Sequence, residues 1–235
     1  MQVSMATMSS QQPISAETPS FTLLDESNLT DEEAKGRIRR NNEALILAAA
    51  ERTFAQSGFK STTMAQIADE AGLPKANLHY YFGNKQTLYL HVLDTVLHDW
   101  LAPMDSIKAD ADPKAALESY VRQKMALSFA RPDASRLFAN ELLQGAKVIH
   151  GLLGGELRDL VVSKSAVIDS WIQAGKIRSI DSTHLFFSIW SMTQTYADFD
   201  IQIRAVTGDP INLADEQERA TRHVLSVVFR ACGLE

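Results

Sequence analysis

The chain has 235 residues, 45% of them hydrophobic and 22% charged, with 23 Lys+Arg against 29 Asp+Glu for a formal charge of −6. That length can bury the core of one large domain or two modest ones, no run approaches the ~18 apolar residues that cross a bilayer, and the N-terminus lacks a charged-then-apolar leader pattern. The single cysteine, Cys232, can form neither an internal disulfide nor a cysteine metal cluster, so a reducing cytoplasm is expected; the acidic balance, taken whole, argues against a partner such as DNA.

Residues 1 to about 36 are polar, rich in Ser, Thr and Gln and then acidic, with Phe21, Leu23 and Leu24 as isolated apolar anchors. Such a stretch buries too little apolar surface to offset its ordering entropy, so a mobile tail is expected. Arg37, Arg39 and Arg40 follow as a basic arm. From Asn41 onward apolar residues recur at helical spacing without convincing strand alternation. The first helix is expected to run to about Ser57, with Leu45, Ala48, Ala49 and Phe54 inward and Gly58 as its left-handed stop. Thr63-x-x-Gln66 is a capping box for a short helix that Gly72 ends. Leu73-Pro74 opens a second short helix closed by Phe82-Gly83, and Asn84 caps a longer one from Lys85 to about Leu101. Further helices are expected from Asp112 to near Arg131, from Ala134 to Gln144 and from Ile149 to Ala174. Two more run from Asp181 to about Val206 and from Ala214 to Ala231. The fold class is therefore all-α, with about nine helices and no solenoid period.

The two short helices around Gly72, packed on a preceding helix, make a helix-turn-helix whose second member can lie in a major groove. Its first turn would offer Lys75, Ala76 and Asn77 to base edges, followed by His79 and Tyr80. Asn can bond an adenine edge, Ala can touch a thymine methyl, and Lys can reach guanine or a phosphate. Thr62 and Thr63 can present hydroxyls and backbone N–H groups to a phosphate, as Lys85 and Arg40 can present charge. The bland alternative is open, because short helices separated by glycine occur in many helical proteins. Tyr81 and Phe82 read as core. His91 and His98, seven apart, read as solvated surface, and no metal is expected.

The register of Thr62-Thr63, Ile67-Ala68, Ala71-Gly72, Tyr80, Phe82, Lys85 and Leu88 closely resembles the DNA-binding domain of TetR-family regulators. Pro74 departs from it, standing where the family often has a capping, phosphate-touching serine. The resemblance implies a homodimer on a palindromic operator in double-stranded DNA, in most members a repressor released by a small molecule, with no enzyme activity and no cofactor. It divides the chain into the tail (1–36), a helix-turn-helix domain (37–100) and a ligand-binding and dimerisation domain (101–235).

In the helix after Asp181, Leu185, Ile189, Met192, Tyr196 and Phe199 fall at core spacing, while Phe186, Trp190 and Gln194 form a stripe beside them. A ring next to a neutral amide suits a flat, uncharged heterocycle; packed core with Gln194 at a subunit interface is the equal alternative on periodicity. The segments Trp100–Pro103, Pro132–Phe138, Lys164–Trp171 and Ile189–Phe199 resemble the pyrimidine-utilisation members of the family. That resemblance implies a pocket for uracil or thymine formed by Trp100, Trp190 and Gln194, with Phe138, Tyr120, Lys124 and Tyr196 as neighbours. A drug- or lipid-sensing regulator, a helical adaptor and a small-heterocycle enzyme are the rivals. The enzyme reading lacks a phosphate loop, a serine elbow or a metal-spaced cluster.

The charge divides unevenly along the chain. Residues 1–36 hold one basic and six acidic side chains, residues 37–100 seven and six, and residues 101–235 fifteen and seventeen. The negative balance sits mainly outside the part expected to meet DNA.

Overall fold

A computed structural model describes residues 31–210 and 212–235, and among them only helices and turns occur. The tail expected over 1–36 lies outside the described residues up to position 30; from Asp31 the chain is helical. Helix α1 (Asp31–Ser61) thus starts ten residues before the expected Asn41, where Glu32 and Glu33 complement the positive end of a helix dipole. Its buried stripe is Ile46, Ala49, Ala50 and Phe54; Ala49 and Phe54 lie inward as expected, whereas Leu45 is 51% exposed and Ala48 also faces outward. Gly58 (φ 73°, ψ 163°) interrupts it as expected.

Helix α2 (Met64–Ala71) carries the complete capping box: the Gln66 N–H donates to Thr63 Oγ1 at 3.2 Å and the Thr63 N–H to Gln66 Oε1 at 2.8 Å. Gly72 closes it in the left-handed region (φ 66°, ψ 28°), a conformation costly for any residue with a Cβ. Helix α3 (Lys75–Phe82) follows Pro74, which provides no side-chain cap. Helix α4 (Lys85–Leu101) is capped by Asn84, whose Oδ1 accepts from the Thr87 N–H at 3.0 Å.

A short 3-10 segment (Ala102–Ser106) leads to α5 (Pro113–Ala130) and α6 (Pro132–Leu143). The helix expected from Ile149 is interrupted. A single turn, α7 (His150–Leu152), passes through a π-helical turn at Leu153–Leu157, which contains Gly154-Gly155, into α8 (Arg158–Gln173). The helix expected from Asp181 to Val206 is two, α9 (Ser182–Asp198) and α10 (Asp200–Thr207), broken at Phe199. Phe199 is 58% exposed, a correction to its expected core position. The last helix is α11 (Leu213–Cys232).

Within residues 40–235 the buried side chains form two clusters. One gathers α1 to α4 around Phe54, Ile67, Leu78 and Leu93 and continues to Trp100, Leu137 and Ile149. The other packs α5, α8, α9 and α11 around Tyr120, Met125, Trp171, Phe186 and Val224. Helix α4 feeds both, with Trp100 in the first and Leu97 and Leu101 in the second. A shift of α4 therefore disturbs two cores together, since interiors are close-packed and transmit strain.

Candidate functional site

Helix α3 is anchored by Leu78, which is fully buried, and by Phe82. Asn42 Nδ2 on α1 donates to Tyr81 Oη at 3.2 Å and ties the helix down from the other side. Those anchors turn Lys75, Ala76, His79 and Tyr80 outward, with Asn77 half-buried. Tyr80 is 77% exposed, a large aromatic that contributes little to the core. His79 Nδ1 donates to Gly83 O at 2.8 Å, so its free ring edge is Nε2. Arg40 is exposed on α1, and Thr63 is exposed at the start of α2.

Two expected phosphate contacts occupy other roles. Thr62 is fully buried, and its hydroxyl bonds Gly58 O at 2.8 Å and Thr53 O at 3.3 Å. The Lys85 ammonium donates to Phe59 O and Thr62 O, both at 2.8 Å, and to Lys60 O at 3.4 Å, above the Phe59 ring. The turn after Gly58 leaves several carbonyls converging on one point, and a cation with three N–H groups satisfies them. Both side chains hold the loop that carries Thr63.

A cavity of about 220 Å³ lies on the C-terminal part of α4. Leu97, Trp100 and Leu101 of α4, Lys124 of α5 and Phe138 and Leu142 of α6 line it. Leu153 and Leu157 of the π-helical turn and Trp190 and Gln194 of α9 complete the wall. Five residues expected from the sequence thus line one cavity: Trp100, Trp190 and Gln194, together with Phe138 and Lys124. Tyr120 stands behind it, fully buried, accepting from Trp190 Nε1 at 2.7 Å and fixing that indole. Its phenol is pushed above the ordinary range mainly by burial.

Tyr196 is elsewhere. Two residues beyond Gln194, it points about 200° away around the helix, stacks on Phe129 (5.8 Å, 28°) and lines a separate cavity of about 200 Å³ with Asp200, Arg204 and Leu213. The sequence reading missed the apolar walls Leu97, Leu101, Leu142, Leu153 and Leu157. Leu153 and Leu157 had a usable signal, an i, i+4 pair across two glycines.

Lys124 is 2% exposed, with its ammonium 3.8 Å from the centre of the Trp100 ring. Burial pushes its pKa down to about 7, and the charge of Asp198 on α9 partly offsets this. Asp198 accepts from Ser135 Oγ at 2.5 Å, and burial raises its carboxyl against that bond and the nearby Arg136 and Lys124 charges. Trp100 Nε1 has no partner, the one such buried side-chain nitrogen or oxygen among the described residues.

An ionic latch ties the junction of α5 and α6 to α1 and α4. Arg131, at the junction of α5 and α6, pairs with Asp99 of α4 and, at 2.5 Å, with Glu51 of α1. A second tie runs from Tyr89 Oη of α4 to Glu141 Oε2 of α6 at 3.1 Å, and Glu141 Oε1 accepts the Val148 N–H at 3.0 Å. The described residues contain no group of three or more His, Cys, Asp or Glu that could hold a metal ion, and no helix long and apolar enough to cross a membrane.

Residues 46–92 match the family described as bacterial regulatory proteins, tetR family, and residues 93–235 match the YcdC-like protein C-terminal region. The chain is 48% identical over 163 residues to the HTH-type transcriptional regulator RutR of Escherichia coli K12, covering 69% of this chain and 77% of that protein. It is 26% identical over 181 residues to the HTH-type transcriptional repressor NicS of Pseudomonas putida, covering 74% and 84%. In fold it is similar to a tetR-family bacterial regulatory protein from Rhodococcus RHA1, with a TM-score of 0.63, 18% identity, and 81% and 97% of the two chains covered. The outward face of α3, the core that anchors it and these matches together make the chain a member of the TetR family of DNA-binding transcriptional regulators, which are not enzymes.

Proposed function

We propose that this regulator is a homodimeric repressor on a palindromic operator, released when a small pyrimidine such as uracil or thymine enters the cavity on α4. The observation that carries the reading is the convergence of Trp100, Trp190 and Gln194 on one space of about 220 Å³. That is below the ~300–1,000 Å³ typical of drug-sized ligands, which disfavours a drug or lipid and suits one flat polar ring. These are also the positions through which the chain resembles pyrimidine-utilisation regulators. One recognition helix reads few bases, so a two-fold pair supplies the discrimination an operator needs. Arg40, Thr63, Lys75, Ala76, Asn77, His79 and Tyr80 are the groups proposed to meet DNA, and Thr62 and Lys85 hold the loop beneath them.

The mechanism follows from Trp100 and Asp99 being neighbours on α4. A ring held between Trp100 and the Trp190/Gln194 stripe sets the tilt of α4, and with it the spacing of the two recognition helices. A ligand shifts DNA affinity only by its differential affinity for the two states, commonly ~1–3 kcal/mol or 5- to 150-fold. The test is operator selection from a random DNA pool, then titration with and without saturating uracil or thymine. A fall in operator affinity of that size is expected, and unchanged affinity overturns the ligand reading alone. Trp190→Ala should abolish the response with operator binding retained; loss of both assigns Trp190 to structural core.

A further inference from the structure

Among the described residues, Lys124 is the only charged side chain lining the cavity on α4. The rest of the wall is Leu, Phe and Trp, with Gln194 as the one neutral amide. Ser128 Oγ bonds the Lys124 carbonyl at 3.1 Å, but no described residue hydrogen-bonds or ion-pairs its Nζ. The Trp100 ring covers one side of that nitrogen at 3.8 Å. Asp198 of α9, bonded to Ser135 and near Arg136 of α6, acts on it only through charge. Nor is the nitrogen sealed in. Trp100 Nε1 is the one fully enclosed side-chain nitrogen or oxygen without a partner among the described residues, so the 2% of its surface that Lys124 keeps includes Nζ. Burial draws its pKa down to about 7, so about half of Lys124 is free amine at neutral pH, against roughly one part in a few thousand for a lysine at ~10.4. A free amine is a nucleophile, and desolvation in an apolar pocket is how lysines are activated to attack carbonyl carbons.

We propose that this cavity is also a covalent site, in which Lys124 Nζ forms a reversible imine with a small aldehyde whose apolar body is no larger than one ring. The nitrogen lone pair attacks the carbonyl carbon, and a proton passes from nitrogen to oxygen as the C–N bond forms. The hydroxyl then leaves as water with the second amine proton, and C=N replaces C=O. No oxidant or reductant is consumed. Protonation of the imine restores a cation against the Trp100 ring and within the field of Asp198, where the ammonium stands in the free protein. The apolar wall limits the water that would reverse the step. Two other fates of a free amine fit this wall less well. Carbon dioxide would leave a carbamate anion with no cation lining the space, and an acyl group would cancel the charge that Trp100 and Asp198 favour. The imine does not depend on the pyrimidine reading, but both ligands would fill the same space of about 220 Å³ and so exclude each other.

The experiment treats the full chain at pH 7 with limiting benzaldehyde and cyanoborohydride, which reduces an imine to a stable secondary amine. The labelled lysines are then mapped by peptide mass spectrometry. Lys124 is expected to take the label at least about tenfold faster than any other lysine. Lys124→Met should lose that label with none gained elsewhere. Pyrenecarboxaldehyde, whose four fused rings do not fit a space of about 220 Å³, should label Lys124 no faster than the other lysines. Saturating uracil should protect Lys124 from benzaldehyde. Labelling of Lys124 at or below the rate of the exposed lysines, or an equal preference for it with both aldehydes, overturns the inference. Preferred benzaldehyde labelling of Lys124 that uracil leaves unchanged supports the inference and overturns the pyrimidine reading instead.

Discussion

Lys124 is costly where it sits, and the cost has a pH signature. Its folded pKa of about 7 lies below the ~10.4 of an unfolded lysine. The unfolded chain therefore binds more protons between those values, and this residue's penalty to stability is full below pH 7 and fades as the pH rises toward 10. Lys124→Met should raise the stability of the ligand-free protein by roughly 1–4 kcal/mol at pH 7, with the advantage shrinking by pH 10, as thermal melts at both values would show. A lower melting temperature for the variant at pH 7 would mean the ammonium is stabilising. Lys85 is the opposite case. Removing its ammonium in Lys85→Met strands the carbonyls of Phe59 and Thr62 and should cost about 1–3 kcal/mol in denaturant unfolding. Sequence spacing placed Lys85 correctly at the start of a helix but expected its charge at a phosphate. A four-carbon stem reaches either way, and only the folded loop shows which carbonyls lie within its range.

Helix α4 is where binding would become movement. Asp99 and Trp100 are consecutive, so the latch through Arg131 to Glu51 is linked to the cavity wall by one peptide unit. Arg131→Ala should leave uracil affinity within about threefold yet shrink the ligand's effect on operator binding, a coupling measured by titrating DNA with and without uracil. An unchanged coupling would assign Arg131 to packing alone. Helix α3 invites a cleaner separation of stability from reading. With Tyr80 77% exposed, Tyr80→Ala should leave the melting temperature unchanged and weaken operator binding by about 10- to 100-fold. Much of this level was readable locally. The box at Thr63, the stop at Gly72 and the caps Asn84, Asp112 and Asp181 depend on contacts within four residues and appear as expected. The break at Phe199 carries no glycine or proline, and nothing within a few residues announces it.

Across the whole molecule, the charge of −6 conceals a nearly neutral stretch over residues 37–100, where seven basic side chains meet six acidic ones. Operator binding should weaken at least about tenfold between 50 and 200 mM salt, and Arg40→Ala should reduce the salt slope by about one and weaken all sequences alike. A salt-independent gel shift would argue against phosphate contact. Exposed Phe187 on α9 and Val227 on α11 are surfaces that a second copy could cover, so sedimentation should show a dimer. The residue pattern alone was sufficient for the all-α class, the caps and the helix-turn-helix register, though not for the breaks at Leu153–Leu157 and Phe199, because caps and tight turns rest on interactions between near neighbours whose geometry repeats in every protein. The fold had to decide which side of α9 faces a void, so that Gln194 lines the cavity and Tyr196 does not. It also decided that Lys124 lies buried against Trp100 while Lys85 closes a loop. A cavity exists where helix faces distant in sequence fail to meet, and the cost of a buried charge is set by partners from other helices; neither quantity is written in any local stretch of chain.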